Sequence, residues 1–423
     1  MKNKQCRQCH KSFQITDQDL GFYNRIQVDS PQLCPDCRKQ KRLTYKNDFN
    51  FYQINCHLCD KQIISIYDPA KSYTVYCSDC WWSDKWDAMD FGRDYNFNQD
   101  FFQQFNEIML KVPRISLINH TAENSDYCHH ADRNKNSYLL STANDNEDCC
   151  YGFWVVNNKN CLDFTYCTKC ENCYELVDCE NCYQTFFSQL ASDCIDCNYV
   201  FDCRSCSNCV GCAGLRNAEY YIFNKQYSKQ DFKNKIKSLY KKSIQKQFEE
   251  LKIKYARKYI IGKNIIDSTG DRLYNCQNIK NSFDLRDSIN GAFLFDGLEG
   301  KECYDCNNFH NIELSCDSFS IIGNNYKFSY FCRDSHDLTY CDNCHASKNL
   351  FACIGLKKQS NCIFNKPYSN QDYQLLEKRI IDYISAEGGS ASGGKKQGNG
   401  ENLFQLKIRH LHIMKPWLIL ITL

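Results

Sequence analysis

Residues 167–183 read CTKCENCYELVDCENCY, five cysteines in seventeen positions. Such a run can supply metal ligands, disulfide partners or the packed interior of a repeating structure, and the choice among these decides the fold. Set at a period of twelve, Cys161, Cys173, Cys197 and Cys209 fall in one column, with Thr185 in the remaining slot. Cys167, Cys179 and Cys203 fall in a second with Ala191, and Cys170, Cys182, Cys194 and Cys206 form a third. The residues that replace cysteine are small. The position before the first column holds Asn160, Asn172, Gln184, Asp196 and Asn208. A fixed period of this kind marks a repeat architecture, and Asn or Asp at a recurring position suits tight turns. Twelve residues are about 40 Å of extended chain, enough for one small flattened coil. The expectation is a narrow β-solenoid with cysteine pointing inward as a small, readily buried hydrophobe, in a coil without room for Leu or Phe at every inward slot. Two alternatives stand beside packed thiols. Coils about 4.8 Å apart bring stacked cysteines within the Cα range of a disulfide. Overlapping CxxC units such as Cys203-Cys206-Cys209-Cys212 could instead gather metal.

The chain has 423 residues, room for two or three domains, and 32 cysteines. In a short secreted protein that density reads as a disulfide scaffold. Here the chain opens MKNKQCRQC, without the apolar core of a signal peptide, so the expected compartment is the cytoplasm, where thiols stay reduced and cysteine pairs more often hold metal. No run of eighteen apolar residues precedes the last few positions, so no membrane span is expected. Net charge is only +2, but the signs are segregated. Residues 225–263 carry thirteen Lys/Arg against three Asp/Glu, and residues 120–215 carry fourteen acids against five Lys/Arg. A solvated face and a nucleic-acid footprint are both compatible with such blocks.

Toward the N-terminus, Cys6-x-x-Cys9 with Cys34-x-x-Cys37 makes one quartet, and Cys56-x-x-Cys59 with Cys77-x-x-Cys80 a second. Zinc takes four soft ligands in a tetrahedron, and two CxxC turns supply them once the chain folds back. The expected cofactor is zinc, about two ions. Thr16-Asp17-Gln18-Asp19 is a capping-box pattern that predicts a short helix through Phe22 and Tyr23. Cys34-Pro35-Asp36-Cys37 runs into the basic stretch Arg38-Lys39-Gln40-Lys41-Arg42. Residues 4–44 resemble the small bacterial family known as the probable zinc-ribbon domain, which has a CxxC, a Phe-x-Phe/Ile-Thr entry to a helix ending in Phe-Tyr, then Cys-Pro-x-Cys-Arg and further basic residues. The resemblance implies zinc and contact with nucleic acid or a protein, and no chemistry. Residues 81–119 follow, dense in aromatics; apolar spacing at 101, 105 and 108 predicts a helix against a core, with a base-stacking platform the other reading.

EYYIFNKQYSKQDF at 219–232 returns as QSNCIFNKPYSNQDY at 359–373, taking Phe223 to Phe364 and Ser228 to Ser369. This is a tandem duplication of about 140 residues whose second copy keeps few inward cysteines, which favours packing over a required metal cluster. Each copy closes on Ser-x-x-Asp, a helix start at Ser228 and Ser369, and apolar residues at 232, 236, 239, 240, 244, 248, 251 and 255 predict an amphipathic helix or helix pair capping the coil. Together, residues 1 to about 385 resemble an uncharacterised Cys-rich zinc-ribbon/repeat protein family of candidate-phyla bacteria, a resemblance that implies no activity. Residues 388–423 change character, from GGSASGGKKQGNGENLFQ to LKIRHLHIMKPWLILITL. Read one base back with free third bases, Lys396–Leu418 spells the Trp-Gly-Glu-Phe and Ser-Pro-Phe-x-Tyr-Asn-Glu-Thr segments typical of that family's end, so the tail is read as frameshifted or non-native.

The expected fold is mixed and mainly β. A zinc-ribbon-like module spans 1–48, and a second, with the aromatic helical segment, spans 49–119. A Cys-rich β-solenoid copy at 120–225 leads to a basic amphipathic helical segment at 226–262, a second solenoid copy at 263–366, a closing helix at 367–387 and the tail. No nucleophile motif, phosphate loop or dinucleotide fingerprint is present, and His129-His130 beside Cys128 reads as structural. The expected function is a non-enzymatic zinc-binding protein. Its ribbons would contact nucleic acid or a protein partner, also through the helical segment and without a membrane, and its solenoid would be a scaffold. The alternatives are a metal-storage or thiol-redox protein using the repeat cysteines, or an enzyme whose type the sequence does not display.

Overall fold

The computed structural model describes residues 1–239 and 241–387; the tail assigned above to a frameshift lies outside them. The protein is mainly β, with a β-solenoid of about 20 turns. Two eleven-stranded sheets hold these turns, one running from Asn119–His120 to Lys225–Gln226 and one from Gly262–Ile266 to Lys366–Pro367. Strands pair in parallel with partners twelve residues on, as in Cys150↔Leu162 and Leu162↔Tyr174. Each sheet ends in an antiparallel pair made by the duplicated closing motif.

Inside the period of twelve lies a period of three. Asn157, Asn160, Asp163, Tyr166, Lys169 and Asn172 all have φ between 52° and 57°, and the pattern continues through both sheets. Each coil is therefore four short sides, and on each side one left-handed residue turns the chain, the next points inward and the third points out. The left-handed conformation costs a non-glycine residue about 1–2 kcal/mol. Asn and Asp bear that cost best, and their side chains also bridge coils, an Asn amide donating to the Asn or Asp oxygen of the next, as from Asn160 to Asn172 and from Asn136 to Asp148, both 3.1 Å.

Inward cysteines fill three of the four columns, with Cys128 and Cys212 at the ends of the fourth, and those from Cys161 to Cys212 are at most 3% exposed. Their thiols donate to carbonyls two residues before or nine after, as Cys173 does to Glu171 (3.2 Å) and Cys182 (3.5 Å). All 32 cysteines are free thiols. The fourth column carries the bulk: Leu140, Phe164, Leu176 and Val200 are buried there. Gly152 sits between two of them, where an added Cβ would lie 2.8 Å from Leu140 and 2.9 Å from Phe164. The expected shortage of room thus holds for three columns and not the fourth. Earlier in the chain Asn134, Asn146 and Asn158 occupy an inward column and satisfy one another in a buried ladder with 2.9 Å steps. In the second sheet Leu273, Leu285, Phe309, Tyr326, Leu338 and Leu350 take inward places, and two turns are shortened to eleven residues, with Ile265 opposite Cys276 and His310 opposite Ile321.

Helices occupy the ends and the flank. They are α1 (Asp17–Arg25), α2 (Pro35–Leu43), α3 (Ser78–Trp82), α4 (Phe101–Lys111), α5 (Lys229–Lys237), α6 (Lys241–Lys254) and α7 (Asn370–Glu387). The predicted capping box closes α1, and Ser228 caps α5 through the Asp231 amide. Phe101, Phe105 and Ile108 of α4 are buried against Tyr340, Phe351 and Phe364, so this aromatic segment is core. The long apolar pattern resolves into the pair α5 and α6, with Phe232 and Phe248 buried against the first solenoid. No helix among the described residues is long and apolar enough to cross a membrane.

Candidate metal centres

Two equivalent modules carry the N-terminal cysteines. In the first, strands Lys2–Gln5 and Ser12–Ile15 form a hairpin whose turn is the Cys6–Cys9 knuckle. His10 closes the knuckle in the left-handed region at φ 60° and donates its N–H to the Cys6 carbonyl at 3.0 Å. In the second, strands Tyr52–Asn55 and Gln62–Ser65 do the same around Cys56–Cys59, with Asp60 at φ 60° donating to Cys56 at 2.9 Å. The second knuckle of each module opens a helix: Cys34 is the N-cap of α2 and Cys77 that of α3.

The fold brings all eight predicted residues together as two quartets. Cys6, Cys9, Cys34 and Cys37 have their sulfurs within 4.8 Å of one another, and so do Cys56, Cys59, Cys77 and Cys80. Among the described residues these are the groups of three or more metal-type ligands that converge so closely. Cys9 Sγ lies 3.6 Å from Cys34 Sγ, and Cys59 Sγ 3.9 Å from Cys77 Sγ. A tetrahedral zinc with Zn–S of 2.3 Å has an S···S edge of about 3.8 Å, so the donor sets fit such an ion. The electrostatics split each quartet: burial, the first cause, pushes Cys34, Cys37, Cys77 and Cys80 up, while Cys6 and Cys56 come down. Burial raises the Cys6 thiol, but N–H groups of Cys9, Cys34 and Gln8 outweigh it and bring it down to about 6. Burial likewise raises Cys56, and the N–H groups of Cys77, Leu58 and Cys59 bring it down to about 7. The amide of Cys77 donates to Cys56 Sγ at 3.2 Å and that of Cys80 to Cys77 Sγ at 3.4 Å. Each module is a nest of amides around sulfur, the arrangement that favours thiolate and metal.

The modules do not hang free. Phe22 of α1 stacks on Tyr304 with centroids 4.0 Å apart. Arg38 and Arg42 of α2 pair with Asp305 at 2.9 and 3.0 Å, and Lys41 with Asp317 at 2.9 Å, all buried. Both acids occupy left-handed turn positions of the second solenoid. Lys39 lies over the Phe295 ring, 3.4 Å from its centroid. The basic stretch after the first module is thus largely used inside the molecule. Sequence gave no notice of this, because the partners lie about 265 positions away. Next to the second module, Arg114 pairs with Asp342 at 2.9 Å, also buried. His129 is buried and His130 half-buried where the solenoids meet, with the His130 ring stacked 5.3 Å from Phe331. Burial holds His130 down at about 3 and neutral, in keeping with a structural role.

Fold and sites define a class: a parallel β-solenoid protein stapled by two four-cysteine modules of metal-binding geometry. No family model matches the chain, and no curated protein is similar to it.

Proposed function

We propose that this protein is a non-enzymatic zinc-binding scaffold. Two zinc ions hold the N-terminal modules, the modules brace the solenoids, and the solenoid exterior presents the binding surface. The quartets carry the reading: eight thiols converge in two tetrahedron-sized sets, the second in a module that has little other core, the first beside Phe13, Ile15, Phe22 and Leu33. In units of this size metal-binding energy is folding energy. The resemblance of residues 4–44 to the zinc-ribbon family supports zinc as the ion, and the 24 cysteines outside the quartets, unpaired in disulfides, suit a reducing compartment such as the cytoplasm. With Arg38, Lys41 and Arg42 buried, contact with nucleic acid or a protein partner falls to other exposed surfaces. Elemental analysis of the purified protein tests the reading. The expected content is two zinc per chain, falling to none in Cys34→Ser/Cys77→Ser while the solenoid β-signal persists. Many metals per chain in variable amount would give the repeat cysteines to storage, and two zinc retained in the double variant would move the ligands elsewhere.

A further inference from the structure

The basic block at 225–263 lies on α5, α6 and the segment beyond them, at the closed end and flank of the first solenoid. Lys229, Lys233 and Lys237 follow one another at four-residue spacing on α5 and are exposed. That spacing puts their Cα atoms about 6 Å apart along the helix axis. Among the described residues none of the three pairs with a carboxylate, and the one acid of α5, Asp231, is held by Ser228 Oγ at 2.7 Å. The stripe is flanked by half-buried tyrosine rings. Lys229 Nζ lies 6.0 Å from the Tyr220 centroid, and Lys235 Nζ 4.7 Å from that of Tyr227. The coils the helix closes carry the opposite charge, with fourteen acids between 120 and 215, so an extended polyanion is attracted to the α5 face and repelled from the solenoid side.

We propose that this face binds single-stranded nucleic acid, with backbone phosphates along Lys229, Lys233 and Lys237 and bases stacked on Tyr220 and Tyr227. A cationic track with interleaved aromatics is what sequence-tolerant single-strand binding requires. The inference names the partner for the scaffold reading, and it does not depend on the zinc sites.

The test uses the full, zinc-loaded chain and a fluorescein-labelled twenty-nucleotide oligothymidylate, followed by anisotropy over a salt series. The expected result is binding that weakens with salt. In Lys229→Glu/Lys233→Glu/Lys237→Glu it should drop at least ten-fold, and the slope of log affinity against log salt should shrink by about 2, at roughly 0.7 per phosphate contact. Tyr227→Ala should lose about five-fold or more with the slope unchanged, since stacking is not ionic. Zinc content of both variants should stay that of the parent, which separates a failure here from a failure of the scaffold reading. No binding at 50 mM salt overturns the proposal, as does equal binding by the triple variant. A duplex bound as tightly, with Tyr227→Ala silent, overturns the single-strand assignment. Binding to phosphatidylserine vesicles without binding to the oligonucleotide gives the face to a membrane instead.

Discussion

Cys173 shows what an inward position asks of a side chain. It is 3% exposed, its sulfur reaches carbonyls of its own coil and the next, and its column neighbours Cys161 and Thr185 are equally small. Cys173→Ala removes one sulfur from a tight core and should cost roughly 1 kcal/mol. Cys173→Leu should cost more, because this column cannot widen; thermal unfolding of the two variants gives the order, and equal destabilisation would remove the packing account. Gly297 makes the converse point in the second solenoid, where a Cβ would lie 2.1 Å from the Phe309 ring. Gly297→Ala should cost about 1–3 kcal/mol, and Phe309→Leu added to it should recover part of the loss, as contacting residues couple. The twelve-residue columns are legible in the sequence because cysteine recurs in them, whereas the three-residue step shows only where Cys161, Cys167, Cys170 and Cys173 differ by multiples of three. The bulky column escaped because Leu140, Gly152, Phe164 and Leu176 share position and not type.

The docking of one element on another rests on buried charge. Asp305 accepts from Arg38 and Arg42, all three side chains being at most 7% exposed. Removing one partner of such a group strands the others, typically at 3–5 kcal/mol. Asp305→Ala should therefore free α2 from the second solenoid and expose residues 1–48 to protease, while zinc content stays unchanged. Lost zinc would mean that docking and metal binding are one event. Between the solenoids, Arg272 reaches Asp178 at 3.1 Å and Asp284 at 3.5 Å, and Tyr166 donates to Asp296 at 2.6 Å. Burial first, then neighbouring Asp296, pushes Asp284 from 3.8 up to about 7, against the pull of Arg272; Asp178 and Asp271 add to the push. A raised carboxyl favours the fold fully below its unfolded value near 3.8, and that contribution is lost as pH rises through about 7. Asp284→Asn has no proton to lose, so its stability relative to the parent should be better at pH 8 than at pH 5 in paired denaturation curves. A pH-independent difference would show that Asp284 ionises freely. None of these pairings was legible beforehand, since charge partners on separate coils carry no local pattern, whereas the helix starts at Thr16, Ser228 and Ser369 were, because a cap and its amide lie three residues apart.

Across the molecule, the metal modules and the meeting of the solenoids converge on one short segment. Cys34 and Cys37 fix the start of α2, and the chain leaving α2 passes between the two solenoids. Tyr45 stacks on Tyr330 with centroids 3.8 Å apart and planes 1° from parallel. Three residues on, Asp48 accepts from Ser141 of the first solenoid at 2.5 Å. Lys46 Nζ lies 4.5 Å from the centroid of Phe153, also in the first solenoid. Without this wedge the solenoids would keep fewer contacts, among them His130 on Phe331 and the pairs of Arg272 and Tyr166. The coil sulfurs stand apart from the quartets: among the described residues they join no converging group of metal-type ligands, and they are packed and donate to backbone carbonyls. Chelation should thus divide the cysteines into two populations. Cys6, Cys34, Cys37, Cys56, Cys77 and Cys80, buried in the folded modules, should alkylate quickly once metal is withdrawn, while the coil thiols stay slow until the protein is denatured. The radius of gyration from small-angle scattering should rise as the wedge loosens, with the β-signal in circular dichroism unchanged. If the chelated protein keeps its scattering curve and its protease resistance over residues 1–48, packing on the solenoid and not the metal holds these modules in place.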